Sequence, residues 1–212
     1  MSKKIVSVIT ARGGSKEIPN KNIIDVNGKP LIAYTIKASL DSSVNETWVS
    51  TDSTEIATIS IELGAKVLLR PKELANDIIM PDASLVHFAE NHHFDTLVFI
   101  QPTSPLLEAK YINQGILLMN DYDSVFSAYK EHWCPRWSTD FEPVGWNISK
   151  RPRRQDMDEQ YIENGAFYIT SKENLLQSKL RYSGNIGIVE MPLEKSFQID
   201  SKNDLELIKK LI

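Results

Sequence analysis

An α/β fold, with a mostly parallel sheet covered by helices on both faces, is predicted by three features of the sequence. Short apolar, β-branched runs alternate with longer helix-period segments, as in successive βαβ units. The chain has 212 residues, of which 42% are apolar and 25% charged, enough to bury one sizeable core. Polar side chains recur just after the apolar runs, at the strand ends where sheets of this kind bind ligands.

The elements follow in order. KIVSVIT is a strand, PLIAYTIKASL a helix, ETWVSTD a strand, TEIATISIELG a helix and AKVLLR a strand. DASLVHFAENHH, DTLVFIQ, AKYINQGILLMN and DSVFSAY continue the alternation as helix, strand, helix and strand. Buried parallel strands with right-handed crossovers accommodate this cadence. From Lys130 to about Gln160 the cadence breaks in a stretch with three tryptophans, three prolines and clustered arginines. Linkers lack tryptophan, so this excursion is expected to bury against the domain's own face or a second subunit, and a homodimerisation arm is the favoured reading. YIENGAFYIT and NIGIVEMP then read as strands and NDLELIKKLI as a closing helix, its N-terminus set by Asp200 or Ser201.

The formal net charge of -4 argues against a general nucleic-acid binder, while a local basic pocket for a phosphorylated small molecule stays open. The single cysteine, Cys134, rules out an intrachain disulfide framework and fits a reducing cytoplasm. Its neighbours Trp133 and Pro135 point to packing. No signal-type segment opens the chain, and no apolar run approaches the roughly 20 residues that span a bilayer. A cytoplasmic protein without membrane contact is expected. His87 falls within a helix as a packed or surface residue, and the adjacent His92 and His93 diverge by about 100° and chelate poorly.

The stretch ARGGSKEIPNKN, Ala11 to Asn22, follows the first strand. Gly13 and Gly14 lack a Cβ, so backbone N–H groups can approach an anion and either residue can take positive φ. Neither the Walker pattern nor a dinucleotide fingerprint fits. Arg12 can fork onto phosphoryl oxygens, and Lys16 and Lys21 can add point charges. A lysine-rich surface turn is the other reading. Further strand ends favour a site: Asp52 in VSTDS, Arg70 and Asp77 in LLRPKELANDI, and Gln101, Thr103 and Ser104 in FIQPTSPL.

Taken together, ITARGGSKEIPNKNI, STDSTEIATISIELGAKVLLRPKELANDI, FIQPTSPLLEAKYI and RPRRQDMDEQYIENGAFYIT resemble the acylneuraminate cytidylyltransferases, or CMP-sialic acid synthetases. The resemblance spans essentially the whole chain and differs from the cytidylyltransferases of 3-deoxy-manno-octulosonate. It implies a Rossmann-like sheet of the nucleotide-diphospho-sugar transferase type, one nucleotidyltransferase domain over 1–212 with a dimerisation arm at 130–160. It also implies transfer of CMP from CTP to the anomeric hydroxyl of a nine-carbon 2-keto sugar acid of sialic, legionaminic or pseudaminic type, with release of pyrophosphate. On this resemblance Ala11, Arg12, Gly13, Gly14, Ser15, Lys16 and Lys21 form the triphosphate loop, and Asn22, Arg70 and Ser84 contact the nucleoside. Gln101, Thr103, Ser104, Glu163 and Asn164 face the sugar, joined by Arg153, Arg154 and Gln155, which approach from the arm or the partner subunit. Lys21, Arg12 and Asp200 carry the catalysis. The family ends with two aspartates one residue apart that hold Mg²⁺ or Mn²⁺; SFQIDSKNDL keeps Asp200 and has Gln198 in the other place. Use of another nucleotide or a sugar phosphate, or nucleotide-sugar binding without turnover, are the alternative readings.

Overall fold

The computed structural model describes residues 3–75 and 80–212. In chain order it contains β1 (Ile5–Thr10), a two-residue ribbon of β2 (Asp25–Val26) and β3 (Lys29–Pro30), α1 (Leu31–Leu40), β4 (Glu46–Thr51), α2 (Thr54–Glu62) and β5 (Lys66–Leu69). Next come α3 (Pro81–Asn91), β6 (Thr96–Ile100), α4 (Ala109–Leu118), β7 (Ser124–Glu131) and a second ribbon of β8 (Arg136–Trp137) and β9 (Pro143–Val144). The chain closes with β10 (Gln160–Ser171), α5 (Lys172–Ser178), β11 (Ile186–Glu190) and α6 (Lys202–Ile208).

Seven strands form one sheet in the order β11-β7-β10-β6-β1-β4-β5. All are parallel except β10, which runs antiparallel to both β6 and β7. β1 lies inside the sheet, and its side chains alternate between two cores. Ile9 joins Ile32 and Ile36 of α1, Ile56 of α2 and Ile112 of α4 on one face. Val8 joins Leu85 and Phe88 of α3 and Leu175 of α5 on the other. Both faces are therefore covered, as the sequence predicts, and each fully buried large side chain contributes about 1.5–3 kcal/mol. The chain leaves β1 toward β4 on one side and β6 toward β7 on the other, which opens a crevice at their C-terminal ends.

Three local features differ from the sequence reading. α5 begins directly after β10, capped by Ser171, whose Oγ accepts the Asn174 N–H. The closing helix is capped by Ser201 in a reciprocal box with Asp204, so Asp200 is not its cap. β7 and β10 pair as far as Glu131 opposite Gln160, which makes residues 132–159 an insertion at the tip of a long hairpin. Within it Trp146 meets Trp133 and Trp137 edge-on, at 6.4 and 5.1 Å between centroids, and Arg151 lies over the Trp146 ring. Phe141, Val144 and Ile148 are exposed, and so is Cys134, contrary to its expected packing role. Among the described residues no helix is long and apolar enough to cross a membrane.

Candidate active site: two chambers joined at Lys21 and Asp200

The cation-bearing loop after β1 is anchored. The Ala11 N–H extends the ladder onto the Ser50 carbonyl at 2.9 Å, and the Gly13 N–H donates to Asp52 Oδ1 at 3.0 Å. Ile18 is buried against Val26, Leu31, Leu106, Ile199 and Leu205, which is incompatible with a loose surface turn. Neither glycine takes positive φ; the left-handed residue in the loop is Asn20. Gly13 is required for close approach, since a Cβ there would lie 3.1 Å from the Ser53 Cβ, whereas Gly14 has open space. The Asn22 side chain donates to the Arg12 carbonyl at 2.9 Å and ties the loop's end to its beginning.

This loop forms one wall of a cleft of about 430 Å³ over the ends of β1 and β6. Arg12, Ser15, Lys16, Lys21, Asn22, Arg70, Ser84, Gln101 and Thr103 all line it. Ala11, Gly13 and Gly14 are not part of the lining, Ala11 being buried and Gly14 exposed, and Ser104 is buried with its Oγ unpartnered among the described residues. Asp77 lies outside the described residues. Arg70 is 8% exposed, donates from Nη1 to Ser84 Oγ at 3.2 Å, and keeps a buried Nε without a partner among the described residues. Burial pushes its pKa down, Asp52 opposes that and Arg12 adds to it. An anion beside the two guanidinium groups relieves both penalties. Glu17, Ile18, Pro81 and Phe99 are among the further wall residues that the sequence did not mark; the last three carry no charge.

A second chamber, about 480 Å³, adjoins the first, and Gln101 lines both. It forms because β10 is irregular: its register shifts between Glu163 and Tyr168, and Gly165 takes φ +67°. The positive φ calls for glycine, and a Cβ there would also displace the end of the Gln198 side chain. Asn164 is 5% exposed and its amide is fully engaged. Its Oδ1 accepts from Ser127 Oγ at 2.6 Å and the Ala166 N–H at 3.1 Å, and its Nδ2 donates to Ser196 Oγ at 2.9 Å. Asn164 thus shapes the chamber rather than offering a donor to it. Gln198 Nε2 donates to the Asn164 carbonyl, a bond no carboxylate could make. The Ile199 N–H donates to the Thr103 carbonyl at 2.8 Å, which fastens this segment over the QPTS turn. Tyr129, Tyr168, Phe197 and Asp204 also line the chamber, none of them marked by the sequence reading.

The chambers differ in sign. Arg12, Lys16, Lys21 and Arg70 face the first with Glu17 the opposing carboxylate, while Glu163, Asp200 and Asp204 face the second, with no lysine or arginine among its described lining residues. At the junction Lys21 Nζ lies 2.9 Å from Asp200 Oδ1; the lysine side chain is 18% exposed and the aspartate 64%. Arg153, Arg154 and Gln155 stand on the exposed arm outside both chambers, Arg153 paired with Asp156 at 2.7 Å. Among the described residues no three His, Cys, Asp or Glu side chains converge as a metal cage, so a cation held by Asp200 would need substrate oxygens to complete its shell.

A doubly wound sheet with cations at its switch point, beside a polar second chamber, defines the class of nucleotide-binding transferases. Comparison with known proteins carries this further. The family model described as Cytidylyltransferase matches residues 6–212. N-acylneuraminate cytidylyltransferase A of Danio rerio is 40% identical over 210 residues, 94% of this chain and 48% of that protein. Pseudaminic acid cytidylyltransferase of Campylobacter jejuni is 32% identical over 220 residues, 97% of this chain and 95% of that protein. In fold, the structure of CMP:2-keto-3-deoxy-manno-octonic acid synthetase complexed with CTP superposes with a TM-score of 0.75 at 19% identity, covering 98% of both chains. The chain belongs to the cytidylyltransferase family. It spans about half the length of the N-acylneuraminate cytidylyltransferases it matches.

Proposed function

We propose that this protein transfers CMP from CTP to the anomeric hydroxyl of a nonulosonic acid, a nine-carbon 2-keto sugar acid, and releases pyrophosphate. The observation that carries this reading is the junction: a cationic chamber suited to a triphosphate meets a second chamber at Gln101, with Lys21 and Asp200 bridging them. The names of the relatives at 40% and 32% identity support a sialic or pseudaminic type of acceptor. In this reading residues 1–212 act as one nucleotidyltransferase domain.

Nucleotidyl transfer needs an in-line hydroxyl and stabilised charge on the leaving pyrophosphate. Arg12, Ser15, Lys16 and Lys21 hold the triphosphate, and Asn22, Arg70 and Ser84 the nucleoside. Gln101 and Thr103 orient the acceptor where the chambers meet. Lys21 is placed to neutralise phosphoryl oxygens at the scissile bond. Asp200 is the residue that would hold Mg²⁺ or Mn²⁺, with Gln198 supporting the chamber through Asn164. Such an ion, when bound, supplies charge neutralisation on the phosphates and acidifies the acceptor hydroxyl.

Beyond Lys21 at the junction, a further cation would serve the acceptor's carboxylate in the second chamber. The exposed Arg153, Arg154 and Gln155, with the apolar residues of the Trp-rich arm, support a homodimer in which the arm reaches a partner's chamber. An exposed thiol and CTP as substrate are compatible with the cytoplasm. The test is pyrophosphate release with CTP, Mg²⁺ and a panel of nonulosonic acids, with the product identified by mass. Turnover is expected only when all three are present. Equal rates with a hexose 1-phosphate, or with GTP or UTP, would overturn the assignment.

A further inference from the structure

We infer that Arg181, which lines neither chamber, is a positioning residue for the acceptor: it holds Tyr168 so that the phenol hydroxyl aims the Glu163 carboxylate into the second chamber. The inference rests on the functional reading above. Glu163 and Tyr168 are five residues apart on β10, and strict alternation would send them to opposite faces. The bulge around Gly165 brings them together, and the Tyr168 hydroxyl donates to Glu163 Oε1. Both residues line the second chamber, and Glu163 is exposed to it. Burial, and then the Glu163 carboxylate, push the phenol's pKa up, which keeps it a donor.

Tyr168 is itself held from three sides. Its ring stacks with Phe99 at 5.7 Å and with Tyr182 at 5.8 Å, and the Arg181 guanidinium carbon lies 5.1 Å from its centroid and 5.5 Å from that of Phe99. Phe99 lines the first chamber, so one guanidinium braces the inner walls of both. The guanidinium is fixed in turn by Asp82 in the first turn of α3. Nε meets both carboxylate oxygens at 3.2 Å, Nη2 meets Oδ2, and the Arg181 backbone N–H donates to Oδ1 at 2.7 Å. The two side chains are 13% and 10% exposed, so the fork is shielded from water and geometrically specific. With Oε1 engaged by Tyr168, Glu163 presents Oε2 as an acceptor for an O–H or N–H of the acceptor molecule. The implied selectivity is for a sugar acid bearing a hydroxyl or acylamino donor at that position.

Tyr168→Phe is the decisive variant, because it keeps the ring stack and removes only the donor. The expected result is an acceptor KM raised about tenfold with the CTP KM within about twofold of wild type. Arg181→Lys keeps a charge but loses the planar fork, and is expected to raise the acceptor KM in the same direction. Combining Tyr168→Phe with Glu163→Gln is expected to add nothing to Glu163→Gln alone, since one residue acts through the other. An unchanged acceptor KM in Tyr168→Phe, an equal rise in both KM values, or full additivity in the double variant would overturn the inference and leave the functional reading intact. A wild-type protein that turns over no nonulosonic acid would overturn the functional reading, and this inference with it.

Discussion

The two chambers are built by opposite strategies. The first rests on loops that follow parallel strands, each contributing a short block of polar residues close in sequence to its strand. The second rests on an irregular antiparallel strand and on the segment before α6, joined by bonds between residues more than thirty positions apart. Cations gather in the first and carboxylates in the second. The difference teaches that the first chamber is specialised for a polyanion, whereas the second is specialised for hydrogen-bond donors and meets a positive charge at the Lys21 junction. On the proposed reaction, binding of the two substrates is therefore expected to be separable by mutation.

The sharpest way to test that division is Lys21→Ala. On the proposed reaction it is expected to lower kcat/KM by about 10²–10³-fold. Its partner Asp200 is 64% exposed, so the melting temperature is expected to move by no more than about 2 °C. A parallel fall in stability and activity would make Lys21 scaffolding rather than part of the junction. Asn164→Ala strikes the other chamber. It leaves the Ala166 N–H without its acceptor and shifts the Ser127 hydroxyl onto the Phe167 carbonyl, at a cost of about 1–2 kcal/mol, read as a drop of about 3–6 °C in melting temperature. CTP affinity measured by calorimetry is expected to stay within about twofold. An equal loss of CTP affinity would show that the chambers are one unit.

Glu46, remote from both chambers, supplies the smallest effect and the control. Hydrogen bonds from the Trp48 indole, Lys66 and Lys4 pull its carboxyl from 4.5 down to about 2. A depressed pKa in the folded state stabilises fully above the unfolded value near 4.5, and that stability is lost as pH falls toward 2. Glu46→Gln is accordingly expected to melt about 2–4 °C below wild type at pH 6, with the gap closing near pH 2 and KM values unchanged. A gap that stays constant over that range would indicate lost packing instead.

The legibility of the sequence follows the same divide. Period and composition located the seven strands of the main sheet and most helices but not the two short ribbons, and ARGGSKEIPNKN, Arg70 and QPTS marked the first chamber because strand, turn and polar lining residues lie in one stretch of chain. They did not reveal that β10 runs antiparallel, since an apolar strand carries no sign of its neighbour's direction. Of the two reasons for glycine after β1, positive φ is not used, while at Gly13 the lack of a Cβ leaves room for Ser53. Asn164 looked like a ligand, and its amide is engaged within the protein; Gln198 keeps its place in the chamber wall, with Nε2 turned onto the Asn164 carbonyl. The Arg181–Asp82 clamp links residues 99 positions apart, beyond the reach of any local pattern.

The ion pair at the junction carries a consequence for when the site comes into being. Lys21 and Asp200 are 179 residues apart, so the bridge joins a loop near one end of this sequence to a segment near the other. The loop itself depends on the same late segment, since Ile18 packs against Ile199 and Leu205. Loop, bridge and closing segment therefore stand or fall together, and on the proposed reaction only the completed fold is expected to hold the nucleotide and use it.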